Sequence, residues 1–517
     1  MEPFRNEPFT NFALDHNRQT FMEALASVKA EWGKHYPLVI NGKRITAGNP
    51  QPSINPSRHA QITGYVSQAD HSLMDQAIEG ASAAYTIWQL EKPLFRIGML
   101  YKAAALMRRR RHWFSAWLVY EAGKTWVEAD VETAEAIDFL NYYASEAERL
   151  LLHPPKLVSY PCEHNEWSYM PLGVGAVIPP WNFPLAIMAG MTAAAVVCGN
   201  TVVLKPASAT PIIAYHFVSL LEEAGLPGGV VQYVPCPGSR LGDQMVTHPL
   251  VRFINFTGSM EVGLGINEKA ALRRPGQRWL KRVTAELGGK DGIIVDDSAD
   301  IGEAAVAVVQ SAFGYSGQKC SACSRAIVHQ GVYDEFLAEV VRRAGLLKVG
   351  PADAFDTNVG AVIDRAAFDK VAAYIELAAA EGTIVCGGAE QLDPSEGYYA
   401  GPTVVAGVDA QARIAQEEIF GPVLVVIRAD DYAHALEIAN GTPYGLTGSV
   451  FSGNRAHLEL AREKFHVGNL YFNRKCTGAL VGVHPFGGFD LSGTDSKAGG
   501  PDYLLQFLQA KVVTERM

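Results

Sequence analysis

The chain of 517 residues has no uninterrupted apolar run approaching eighteen residues, which excludes a helical membrane span. Cysteine is scarce. Seven residues, an odd number, are scattered as Cys162, Cys198, Cys236, Cys320, Cys323, Cys386 and Cys476. That pattern is no disulfide framework and points to a reducing cytoplasm. The N-terminal residues Met1-Glu2-Pro3-Phe4 carry an acid and a proline where a secretion signal has an apolar stretch, and the Arg-rich character of a transit peptide is also missing, so no targeting segment is expected. Positive charge is in deficit, with 44 Lys and Arg against 54 Asp and Glu and a net charge of −10. A general nucleic-acid binder is thereby disfavoured. The one basic run, Arg108-Arg109-Arg110-Arg111, reads as a solvated helix end. No repeat of fixed period and no low-complexity segment occurs.

Two phosphate-binding fingerprints are absent as well. Gly123-Lys124-Thr125 resembles the end of a P-loop, but five residues before Gly123 stands Leu118 instead of glycine. The dinucleotide signature Gly-x-Gly-x-x-Gly is missing, since Gly173-Val174-Gly175 precedes an apolar run instead of following one.

What is there is an ordinary globular composition, 48% hydrophobic and 19% charged, long enough for two or three domains. Residues 1–36 read as a helical extension with Phe21, Met22, Leu25, Val28 and Trp32 near one face. Helices are expected over 70–89, 92–111, 113–122 and 130–149, followed by an alternating strand at 164–169. From Leu172 onward strands alternate with helices: 174–178, 200–206, 230–234, 252–256 and 283–286 read as buried strands, with helices at 186–197 and 211–225 between them. That alternation implies a parallel sheet of Rossmann type. A second α/β block follows, with strands at 292–295, 325–329, 403–405, 423–427 and 468–473 and helices at 301–313, 333–347, 366–381 and 432–440. The fold class is α/β, and the cleft between two such blocks, whose boundary lies near 286–290, is where chemistry is expected.

Three stretches carry that chemistry. Gly314-Tyr315-Ser316-Gly317-Gln318-Lys319-Cys320-Ser321-Ala322-Cys323 places a thiol in a glycine-bearing loop, with Lys319 and Arg325 as cations that favour its thiolate. Alone, Cys320 equally fits a buried structural cysteine. Arg282-Val283-Thr284-Ala285-Glu286-Leu287-Gly288-Gly289-Lys290 ends a strand on Glu286, which otherwise reads as a salt-bridge partner of Lys290. Pro179-Pro180-Trp181-Asn182-Phe183-Pro184 sets Asn182 in a proline-rich turn. Cys320 and Cys323 also form a C-x-x-C, but no thioredoxin-like context surrounds it and no second ligand pair for zinc lies nearby, so no metal is expected.

Together, in this order, these stretches resemble the aldehyde dehydrogenase superfamily from about Leu38 to the C-terminus. The resemblance implies a Rossmann-type cofactor domain (37–152 and 172–286), an α/β catalytic domain (287–490) and a small β ribbon for oligomerisation (153–171 and 491–517), after the extension at 1–36. It implies that Cys320 attacks an aldehyde, that Asn182 and the Cys320 backbone N–H stabilise the oxyanion, and that Glu286 activates the water that releases a free acid. Phe256-Thr257-Gly258-Ser259-Met260-Glu261-Val262-Gly263 replaces the missing dinucleotide signature: a strand, a turn and a helix start whose free N–H groups suit a phosphate. By resemblance Trp181, Lys205, Gly258 and Ser259 contact the adenine-side ribose and phosphates, and Glu418 and Phe420 the nicotinamide ribose and ring. NAD is the expected cofactor. Ser208 stands where many NAD-preferring members have Glu, which admits NADP. The loops around Gly314, Cys476 and Phe486 resemble the branch that oxidises L-glutamate γ-semialdehyde to L-glutamate, with another semialdehyde such as succinic semialdehyde as the alternative. On that likeness Lys319, Ser321, Gly478 and Ala479 bind the substrate carboxylate, Phe183 and Phe486 flank its aliphatic chain, and Glu135 borders the ammonium group. Some members of this branch carry a further enzymatic domain of several hundred residues, for which 517 residues leave no room. The expected partners are a small-molecule substrate and a second copy of the chain, in a homodimer or a dimer-based assembly, with no nucleic acid and no membrane.

Overall fold

The computed structural model describes residues 4–517. Two seven-stranded sheets dominate it. In the first, strands Arg282–Glu286, Val251–Thr257, Val174–Ile178, Thr201–Leu204 and Val231–Tyr233 lie side by side and parallel. The antiparallel pair Leu38–Ile40 and Lys43–Ile45 then extends the far edge. Val174–Ile178 and Thr201–Leu204 are buried at every position, as parallel strands covered on both faces require. Helix Ala186–Val197 can pack tightly because it is built of small residues. Gly190 lies so close to Phe139 of helix Trp126–Leu152 that a β-carbon there would stand 3.1 Å from the ring.

The second sheet runs Thr383–Cys386, Thr403–Ala406, Val423–Ala429, Arg325–His329, Gly292–Val295, Thr447–Phe451 and Asn469–Phe472. All neighbours are parallel except the first pair. Strand Thr447–Phe451 and helix Arg455–Lys464 are additions to the elements expected from sequence. The two sheets meet where Arg282–Glu286 ends and Gly292–Val295 begins, six residues apart in the chain.

Outside the sheets, helix Asp15–Lys29 buries Phe21, Leu25 and Val28. Each such burial contributes about 1.5–3 kcal/mol. Met22, expected on the same face, is turned to solvent. The helix expected over 92–111 stops at Arg109, and a new one begins at Arg111. The break lets the basic run find partners: Arg108 pairs with Glu7, Arg110 with Glu223 and Arg111 with Asp130, so three of the four arginines are tied down. Finally, Glu163–Pro171 and Leu508–Arg516 form a two-stranded antiparallel ribbon in unbroken register from Pro171 opposite Leu508 to Glu163 opposite Arg516. Of the expected 491–517 segment only this strand joins the ribbon. Tyr503, Leu504 and Phe507 pack into the core instead, and residues 492–496 run along the edge strand Arg282–Glu286.

Candidate active site

The loop that carries Cys320 begins where helix Ile301–Phe313 ends. Tyr315, Ser316 and Gly317 follow with φ of 54°, 55° and 68°, three successive left-handed residues. For the two that carry side chains this costs on the order of 1–2 kcal/mol each. Several bonds offset the cost. The Tyr315 hydroxyl donates to the Ala122 carbonyl (2.7 Å), its backbone N–H donates to Glu128, the Ser316 hydroxyl donates to the Gly360 carbonyl (2.8 Å), and the Gln318 side chain accepts from Ile363 N–H (2.9 Å). The loop is therefore held in place, contrary to the freedom its two glycines suggest. Asn182, 4% exposed, reaches into it and donates to the Gln318 carbonyl at 3.0 Å, two residues before Cys320.

The thiol is not surrounded by cations. Arg325, expected to favour the thiolate, turns away and spends its guanidinium on the carbonyls of Lys290, Ile438 and Ala439 at 2.8–2.9 Å. Burial and the facing carboxylates of Asp291, Glu418 and Glu286 push the Cys320 thiol up, so it rests protonated. Glu286 ends its strand opposite Thr257. Burial raises its carboxyl to about 7, against the opposing Ser496 hydroxyl and Gly488 backbone N–H. A carboxyl near neutrality suits a general base. One oxygen accepts from the Ser496 hydroxyl at 2.6 Å, and the other, buried, has no partner. No ion pair joins Glu286 to Lys290. The Lys290 ammonium is itself buried without a partner, and burial with the nearby Arg325 lowers it to about 7.

A different environment lies on the far side of the loop. Lys124, from the motif set aside as an incomplete P-loop, pairs with Glu132 at 2.9 Å with both side chains buried. Its ammonium sits 3.8 Å from the centre of the Phe183 ring and 4.0 Å from that of Tyr315. Glu132 also accepts from the backbone N–H groups of Leu185 and Ala186, which begin helix Ala186–Val197. Burial and the neighbouring Glu132 raise Glu135 to about 8, against the pull of Lys124 and Lys319. Lys319 is lowered to about 8 by burial and by Lys124 and Lys475, with Glu128 opposing. Gly478 takes φ +76°, open to glycine at little cost. Any β-carbon there would meet the Lys475 side chain at 3.2 Å, and the Arg474 guanidinium donates to the Thr477 and Gly478 carbonyls at 3.0 and 3.2 Å. Ser321 is buried, while Ala479 and Phe486 are half-buried. Phe486 is anchored by mutual backbone bonds with Ala498. Lys124, Lys475 and Arg474 were not picked out from sequence; a lysine between glycine and threonine, and a basic pair before Cys476, were the only signals.

On the cofactor side, helix Met260–Ala271 opens at Ser259, whose side chain accepts from Val262 N–H, at the end of strand Val251–Thr257. Gly258 has no room for a side chain, because a β-carbon would lie 2.5 Å from the Phe256 ring. Lys205 is buried and donates only to the Pro206 carbonyl, so its ammonium lacks a counter-charge. Trp181 meets Phe420 edge to face at 5.4 Å, Phe420 has φ +60°, and Glu418 accepts from Gly289 N–H at 3.0 Å. Ser208 is exposed. A buried cation without a carboxylate and a helix N-terminus at Ser259 each suit an anionic dinucleotide.

Comparison with known proteins identifies the family. A family model described as the aldehyde dehydrogenase family matches residues 45–513. A relative from Geobacillus sp. (strain WCH70), named 1-pyrroline-5-carboxylate dehydrogenase, is 56% identical over 516 residues, spanning 100% of this chain and 99% of its own. One of the same name from Bacillus mycoides (strain KBAB4) is 55% identical over 514 residues, spanning 99% of each. Among solved structures, 1-pyrroline-5-carboxylate dehydrogenase from Thermus with bound NAD superposes with a TM-score of 0.98 at 51% identity, over 100% of both chains. The chain belongs to the aldehyde dehydrogenase family.

Proposed function

We propose that the protein oxidises L-glutamate γ-semialdehyde, the open form of Δ1-pyrroline-5-carboxylate, to L-glutamate, with NAD as the hydride acceptor. The observation that carries this reading is similarity along the whole chain, 56% identity over 516 residues, to a relative named for that substrate. The disposition of charge in the site supports it. Cys320 releases its proton to solvent and attacks the aldehyde carbon. The oxyanion is met by the Asn182 amide and the Cys320 backbone N–H, donors worth about 3–4 kcal/mol each. Bound nicotinamide dinucleotide supplies the hydride acceptor, held by Trp181, Lys205, Gly258, Ser259, Glu418 and Phe420. Glu286 then takes a proton from the water that hydrolyses the thioester. At the substrate's other end, Lys319, Ser321, Gly478 and Ala479 receive the carboxylate, Phe183 and Phe486 flank the chain, and Glu135 faces the ammonium group.

The domains follow the same reading: 37–152 with 172–286 holds the cofactor, 287–490 carries the nucleophile, and 1–36 is an extension whose helix Asp15–Lys29 packs on the first. The ribbon strand Leu508–Arg516 is exposed at every position but its first, and it serves to join a second copy. No helix among the described residues is long and apolar enough to cross a membrane. All seven cysteines are free, in keeping with a reducing cytoplasm. One observation keeps a second substrate in view: Arg474 brings a guanidinium to the Gly478 loop, a feature that would also suit succinic semialdehyde.

Spectrophotometric NADH formation with pyrroline-5-carboxylate, succinic semialdehyde and propanal, each with NAD and with NADP, tests the reading. A clear preference in kcat/KM for pyrroline-5-carboxylate is expected. Faster turnover of succinic semialdehyde would keep the mechanism and overturn the substrate.

A further inference from the structure

The segment following Asp490 is bound to the edge of the first sheet. Leu287 N–H donates to the Ser492 carbonyl (2.7 Å), Thr494 N–H to the Ala285 carbonyl (2.9 Å), and Ala285 N–H to the Thr494 hydroxyl (3.0 Å). Gly493 pairs opposite Glu286 in antiparallel fashion. This contact brings Ser496, 4% exposed, to the Glu286 carboxylate, where its hydroxyl donates at 2.6 Å. Two glycines make the space. A β-carbon at Gly487 would lie 3.1 Å from the bonded oxygen, and one at Gly493 would lie 3.3 Å from the other. The carboxylate is therefore confined on both sides, with one oxygen engaged and one buried and unpartnered.

We infer that Ser496 is a positioning residue that fixes the rotamer of Glu286, leaving its unpartnered oxygen to take the proton of the hydrolytic water. The inference rests on the reading of Glu286 as base. In that step the water oxygen bonds to the acyl carbon, the carbon–sulfur bond breaks, the water's proton goes to Glu286, and sulfur leaves as thiolate. The hydroxyl also favours the ionised carboxylate, since a hydrogen bond to the charged form lowers its pKa. The other charged or titratable groups facing Glu286 are Lys497 and Asp495 from the same segment, Cys320 from the nucleophile loop and Tyr503 from the turn Tyr503–Phe507. None of them makes a hydrogen bond to it.

The test uses p-nitrophenyl acetate on the full-length protein without cofactor. This probe acylates Cys320 directly, so its outcome is independent of which aldehyde is the substrate. Wild-type enzyme and Ser496→Ala are both expected to release a burst of nitrophenolate of one equivalent per site. In Ser496→Ala the following steady-state rate falls on the order of tenfold, as for loss of a charge-assisted hydrogen bond, and its acid limb moves to higher pH. Ser496→Thr, which keeps the hydroxyl, restores both. A wild-type steady-state rate and pH profile in Ser496→Ala would overturn the inference, as would a reduced burst with an unchanged pH profile. Failure of the aldehyde assignment would instead appear as absent NADH formation from pyrroline-5-carboxylate with this ester result intact.

Discussion

Lys319 and Cys320 are neighbours in the chain, yet they face opposite electrostatic environments. The thiol of Cys320 looks onto Asp291, Glu418 and Glu286 and rests protonated. Lys319 lies among Lys124 and Lys475, with Glu128 and Glu135 interleaved. The reacting end holds its groups near neutrality, which suits a base poised near pH 7 and a thiol that ionises only as it attacks. The recognising end gathers Lys124 and Lys475 around Lys319, which suits a substrate that brings a carboxylate of its own. If the two ends are separable, changes at one should spare the function of the other.

The largest effect is expected at the reacting end. Cys320→Ala should lower NADH formation by at least about 10⁴-fold with every aldehyde while leaving cofactor binding intact. Residual turnover near wild type would reassign the nucleophile. The same end sets the pH profile. As the proposed base, Glu286 must be ionised, and its carboxyl is raised to about 7. The kcat should therefore be full above that pH and fall as pH drops through it. A flat profile between pH 6 and 8 would remove Glu286 from the rate-determining step.

At the recognising end, Lys319→Ala should raise KM for pyrroline-5-carboxylate about 10- to 100-fold, the loss of one partly buried charge contact, and leave propanal unchanged. An equal loss with both aldehydes would show that the two ends are not separable.

A smaller effect contrasts two buried lysines. Lys124 has a carboxylate at 2.9 Å and two aromatic rings around its ammonium. Lys290 has no partner and is lowered to about 7 from the usual 10.5. A depressed lysine penalises the fold when it must charge: the penalty is fully present below about pH 7, shrinks as pH rises and is gone above 10.5. Lys290→Met should thus raise stability at neutral pH by on the order of 1–3 kcal/mol and flatten its rise between pH 7 and 10, as read by denaturant melts. Loss of stability would mean that the Glu418 charge sustains Lys290.

Much of this was legible in the sequence because it is written locally. Apolar runs such as Val174-Gly175-Ala176-Val177-Ile178 announce buried parallel strands, and Cys320, Glu286 and Asn182 stand in motifs whose neighbours identify them. Thr447–Phe451 escaped notice because its glycine, serine and threonine resemble a turn, and only parallel neighbours on both sides make it a central strand. Arg325 was misplaced because proximity in sequence says nothing of side-chain direction, which in a strand alternates between faces. Lys124 and Ser496 were missed for a related reason. One acts through rings at Phe183 and Tyr315, the other through a carboxylate 210 positions away, and neither pairing leaves a local trace.

The most direct test is the intact mass of Glu286→Gln after a single turnover with pyrroline-5-carboxylate and NAD. Without its base the enzyme should form NADH once and then stall. The account predicts a glutamyl thioester on Cys320, located by peptide mapping, with about one equivalent of NADH released per site. NADH formation without any adduct, or an adduct on another residue, would contradict it.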